Sequence, residues 1–197
     1  MNPRTQLVID ELARHRTQFE HFCRDLTPAE LATPIPGSHW NVRDYIAHLC
    51  TIDSLIAAGF APIVGQQAPP PETPPGSPFD IDDWNEASVR ARESATVDQL
   101  LAEAARHRAS MVRVIESFTD EDLDRIIDYG GDRKALNLPP SKVRFGGLLW
   151  GIAVHDPTHT RDILRALPRR AEESWLVEWL GSVNESMIPQ GVREQRV

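Results

Sequence analysis

With 197 residues, 41% of them hydrophobic, the chain is long enough to bury a substantial core as a single domain spanning residues 1–197. Its net charge of −8 and its lack of clustered cations exclude a phosphate-backbone partner, so nucleic acid is not expected. The N-terminus shows no signal-peptide apolar run, and no stretch of about 18 apolar residues reads as membrane-spanning, which makes the cytoplasm the expected compartment.

The elements read as almost wholly helical. Val8, Leu12, His15, Phe19, Phe22 and Leu26 recur at steps of 4, 3, 4, 3 and 4, one stripe of a first helix that stops at Thr27-Pro28. After a linker holding Pro34, Pro36 and Gly37, Asn41 and Asp44 form a capping pair for a second helix from about Val42 to Phe60. Pro62 to Pro78 breaks the pattern and reads as an extended, semi-rigid surface crossover. A short polar helix from Asp82 to Arg92 comes next, then a third long helix from Val97 to Phe118 with the stripe Leu100, Ala104, His107, Met111, Val114 and Phe118. An irregular stretch from Tyr129 to Pro140 precedes a fourth long helix, Ser141 to Leu164, and Trp175, Leu176, Trp179, Leu180, Val183 and Met187 mark a fifth. No strand is expected. The fold class is therefore all-α, a four-helix bundle with an additional C-terminal helix. The second helix covers about 28 Å, and the crossover of about 20 residues can run back along it, which predicts that the second and third long helices are parallel.

Three histidines stand out. Tyr45, His48, Ile52 and Leu55 share one face of the second helix, and Leu148, Ile152, His155, His159 and Ile163 share one face of the fourth. A lone histidine on an apolar face reads as a hydrogen-bonded core residue. Two a turn apart would both need polar partners in an apolar stripe, whereas at i and i+4 they can grip one cation. In helix bundles such sites are built from inward side chains on different helices, which suits His48 with His155 and His159. Three neutral imidazoles leave the charge of a divalent ion uncompensated and one tetrahedral position open, where a thiol or water is activated.

The other candidates read more plainly. His15 and His107 lie on apolar stripes as core histidines, with a fourth ligand or a proton shuttle as the sharper alternative; His21 and His39 carry no spacing signal. Asp44 reads as a cap and Asp162 as solvent-facing, with a hydrogen bond to the free ring nitrogen of His48 or His159 as the sharper alternative for each, and Asp156 reads as an acceptor at the kink that Pro157 should impose. That kink is expected to be concave toward the histidine pair. Cys23 and Cys50 read as reduced, buried thiols without a catalytic part, and Cys50 points away from His48.

The block Trp40-Asn-Val-Arg-Asp-Tyr-Ile-Ala-His48-Leu resembles the second-helix signature of the DinB-like (YfiT-like) metalloenzyme superfamily, and Leu149-Trp150 followed by His155-Asp-Pro-Thr-His159 resembles its fourth-helix signature. The resemblance implies an up-down-down-up bundle and a divalent ion, zinc first and nickel second, bound by His48, His155 and His159. It also implies frequent homodimers and, in some relatives, transfer or isomerisation with a low-molecular-weight thiol such as bacillithiol or mycothiol. The mycothiol-dependent isomerase branch is less similar, because it has Glu where His155 stands; the Pro-rich crossover and Pro157 are further departures. The expected function is a metal-dependent, thiol-using S-transferase or detoxification protein acting on a small electrophile. A metal-dependent hydrolase and a non-catalytic metal-containing stress or ligand-binding protein are the alternatives.

Overall fold

A computed structural model describes residues 2–72, 79–129 and 141–188. Helix α1 (Pro3–Arg24) starts at an Asn2 cap with proline in its first turn, where no backbone donor is missed. A one-turn helix α2 (Pro28–Leu31) follows, and α3 (Val42–Phe60) opens on the expected box, Asn41 accepting from the Asp44 N–H and Asp44 accepting from the Asn41 N–H. Beyond α3 the chain makes one further 3-10 turn through Ala61–Val64, closed by Gly65 at φ 65°, so the crossover becomes extended later than Pro62 suggested. Asp80 caps α4 (Ile81–Arg90) by accepting from the N–H groups of Asp82 and Asp83, and a Thr96/Gln99 box opens α5 (Val97–Glu116). Then come the short α6 (Asp120–Asp124), strands β1 (Ile126–Tyr129) and β2 (Ser141–Arg144), helices α7 (Phe145–Ala153) and α8 (His155–Leu164), and α9 (Ser174–Gly181).

Three expectations are corrected. Ser141–Arg144 is not the first turn of the fourth helix but a strand, paired antiparallel with β1 in the register Ile126↔Arg144 to Tyr129↔Ser141. Four residues with one buried side chain, Val143, carry too short an alternation to be read from sequence. The expected fifth helix ends early, at the Ser182 cap, and Met187 is 59% exposed rather than part of a buried stripe. Val42–Val64 does meet the length and hydropathy of a membrane span, yet 61% of that window is buried inside the bundle, as for a core helix. Of the irregular stretch, residues 130–140 lie outside the described ones, as do crossover residues 73–78.

The fourth long helix is broken where proline chemistry predicts. Pro157 has no N–H for the Ala153 carbonyl, and its ring crowds that oxygen; α7 ends at Ala153 and α8 begins at His155, with Val154 between them at φ −100°, ψ 15°.

Helix directions follow from side-chain contacts. Arg43 at the start of α3 donates to the carbonyls of Arg92 and Ala95 just before α5, while Gln66 beyond α3 reaches Ser117 at the end of α5. These helices are parallel, as the crossover length predicts. The core splits into two apolar blocks: one holds Phe19, Phe22, Ile46, Leu49, Leu100, Ala104 and Ile163, the other Leu12, Ala57, Met111, Ile115, Leu149 and Val154. Passing along α1 and α7–α8 leads from the second block to the first, and along α3 and α5 from the first to the second. The long helices thus run up, down, down, up. Between the blocks each contributes one charge: the buried Arg16, Asp53 and Asp156 and the half-buried Arg108.

Candidate metal centre

The Asn41/Asp44 box sets the phase of α3, and two turns on, His48 faces inward at 5% exposure. His155 opens α8 directly after the break, and His159 follows one turn later; both are half-buried. The three rings meet. Centroids lie 5.4 Å apart for His48 and His155, 5.3 Å for His48 and His159, and 4.6 Å for His155 and His159. One nitrogen from each ring lies within 4.8 Å of the other two, and His155 Nε2 is 3.1 Å from His159 Nε2. That spacing suits a hydrogen bond between neutral rings, and it equally suits two lone pairs aimed at one cation. Nitrogens about 2.0–2.1 Å from zinc stand about 3.3–3.4 Å apart on a tetrahedron. Among the described residues no fourth His, Cys, Asp or Glu joins the group.

Asp162, read from sequence as solvent-facing, instead places Oδ2 3.0 Å from His159 Nδ1. A proton held on Nδ1 and donated to that carboxylate leaves the Nε2 lone pair facing His155, the tautomer a metal ligand requires. Substituting Asp162 with Ala is expected to weaken divalent-metal affinity by about 10–100-fold, measured by competition with a chelator. Asp44 keeps its capping role. Asp156 is 2% exposed and accepts from Arg16 at 3.0 Å and Arg108 at 3.2 Å, which ties the residue beside His155 to α1 and α5.

The remaining histidines sit apart from the three. His107 Nδ1 lies 3.0 Å from the Cys50 carbonyl, and its Nε2 faces Glu103 at 3.7 Å and Glu72 at 4.0 Å. Those three also form a cluster of ligand type, but Arg92 bonds Glu103 at 2.5 Å and Glu72 at 3.2 Å and so supplies the cation itself. Sequence gave no sign of this group, since Glu103 and Arg92 look like ordinary surface charges. His21 packs on Trp175, and His39 bonds Glu86 at 2.7 Å. Burial raises both thiols, Cys50 to about 12 and Cys23 well above its ordinary range, which keeps them protonated and inert.

His15 is fully buried, and Nδ1 accepts from Trp179 Nε1 at 2.9 Å. Burial first and Arg14 second push its pKa from 6.5 down to about 4. Below the ordinary value the unfolded chain takes up a proton that the folded one refuses. The stability this residue contributes is therefore complete above pH 6.5 and is lost as pH falls toward 4. Denaturant unfolding at a series of pH values is expected to show a steep acid loss in the wild type and a shallower one in His15→Gln.

A sequence model of the DinB superfamily matches residues 11–163, a span that contains both the Trp40–His48 block and the His155/His159 pair. No curated protein matches the chain. Bundle and match agree, and the chain belongs to the DinB superfamily.

Proposed function

We propose that the protein is a divalent-metal-dependent enzyme in which His48, His155 and His159 hold one ion, zinc or nickel, and that it transfers a low-molecular-weight thiol to a small electrophile. The observation that carries the metal reading is the convergence of three imidazoles from two helices, with no fourth ligand-type side chain among the described residues to close the centre. An open position supports catalysis over a structural ion. When bound, the ion supplies Lewis acidity that keeps a thiol or water deprotonated near neutral pH.

The protein's own groups do the rest. Asp162 holds the proton at His159 Nδ1. Asp156, gripped by two arginines, fixes the start of α8 and with it His155. Trp40 and Tyr45 shield the imidazoles from water on one side. The chain's own cysteines, buried and raised, supply no thiolate, so the nucleophile enters with a cosubstrate. A small molecule is the proposed substrate and a homodimer the proposed assembly, which light scattering tests.

Metal-loaded protein incubated with a panel of cellular thiols and a haloarene electrophile is expected to form thioether adducts faster than the same protein after chelation. Equal rates would exclude the transferase; metal-dependent ester hydrolysis without thiol would favour a hydrolase, and neither reaction would favour a ligand-binding protein. Pro157→Ala restores the N–H that the Ala153 carbonyl lacks, and it is expected to join α7 to α8, turn His155 away and weaken metal binding. Backbone chemical shifts and metal titration read the two effects separately.

A further inference from the structure

The indole of Trp40 is fixed beside the three imidazoles. Its Nε1–H donates to Glu86 Oε2 at 2.8 Å, its ring lies 5.5 Å from His48 at an interplanar angle of 37°, and Tyr45 meets it edge-on at 5.4 Å. Tyr45 stands edge-on to His159 at 5.7 Å. Both aromatics are half-buried, as are His155 and His159, so all four rings reach the surface beside the buried His48, with the exposed His39 ring 5.5 Å from the indole. The tether comes from α4, the helix that lies within the long connection between α3 and α5. Glu86 receives His39, Trp40 and Arg90 together, and those hydrogen bonds hold its pKa down to about 2, so the carboxylate stays charged at neutral pH.

Resting on the metal reading above, we infer that Trp40 is a specificity-determining residue that takes a planar apolar group, an aromatic ring above all, on the ligand held at the three-histidine centre. An indole fixed in advance loses little rotamer freedom on binding and offers a large flat face, so its contact energy goes into affinity. A cation would also suit the π face, but a divalent ion among neutral imidazoles repels it. The selected ligands are therefore neutral or anionic and aromatic. Through Glu86, α4 acts as the clamp of this wall.

Cobalt(II)-loaded protein titrated with imidazole and with 4-phenylimidazole tests this, the visible d–d band reporting the metal and its new ligand. The wild type is expected to prefer the phenyl compound by about tenfold, equivalent to about 1.4 kcal/mol. Trp40→Leu, which keeps apolar bulk, should abolish most of that preference, Trp40→Phe should keep most of it, and Glu86→Gln should lose part. An unchanged ratio in Trp40→Leu with the cobalt band intact overturns the inference and leaves the metal reading standing. If no cobalt band forms, the metal reading falls instead. The wall is then read from the Trp40 indole N–H resonance, assigned by its loss in Trp40→Phe: a shift with 4-phenylimidazole but not with imidazole supports it, and no shift overturns it.

Discussion

Replacing His155 with Ala is expected to lower zinc or nickel affinity more than a hundredfold, with the helical fold retained. Outer partners of metal ligands cost 10–100-fold when removed, and a directly bound nitrogen costs more, so roughly a hundredfold is the floor for each of the three. His48→Ala and His159→Ala should match it. The three nitrogens are within 4.8 Å of one another, so each loss leaves two imidazoles and two open positions, which water fills. His155 and His159 are half-buried at the edge of the core, and their truncation leaves both apolar blocks intact. His107→Ala, in a separate cluster, is the control that should leave affinity unchanged. Metal content after equilibrium dialysis, with helicity checked by circular dichroism, reads the result. Wild-type affinity in all three single variants would remove the metal centre.

The bundle was legible because its helices are amphipathic and capped by local chemistry. The Asn41/Asp44 box and the stripe through His15, Phe19 and Phe22 needed only spacing, and both stand in the structure. His48 and the His155/His159 pair were legible for the same reason, as polar residues at positions that periodicity assigns to the inside. What spacing does not encode is the pairing of charges across helices. Arg108 and Asp53 look like surface residues until their helices are placed side by side, where they meet at 2.5 Å. Asp162 was misread because a carboxylate three residues after a histidine is compatible with facing either solvent or the ring. The β1–β2 hairpin was missed for a different reason: its strands have four residues each, too few for a period of two to emerge.

Arg108→Met is expected to destabilise the protein by about 3–5 kcal/mol, a fall in Tm of roughly 6–20 °C for a chain of this size. Arg108 bonds Asp53 at 2.5 Å and Asp156 at 3.2 Å, and both carboxylates are buried, at 2% exposure each. Removing it leaves two buried anions with one guanidinium between them, Arg16, at 3.0 Å from Asp156 and 3.6 Å from Asp53. Arg16 is a poorer partner than its position suggests, because its Nε and Nη1 are buried with no hydrogen bond among the described residues. Burial disfavours the Arg16 charge, and Asp156 and Asp53 outweigh burial and raise its pKa. Arg16→Met should thus cost less than Arg108→Met, since it also relieves two unsatisfied donors. The pair Arg108→Met with Asp53→Leu should recover much of the loss, because replacing both partners of a buried ion pair leaves no uncompensated charge. Urea unfolding of the wild type, Arg108→Met, Asp53→Leu and the double variant as a cycle, with Arg16→Met measured beside them, gives each quantity. If Arg108→Met unfolds at the wild-type midpoint, the layer between the two apolar blocks is not held by charge.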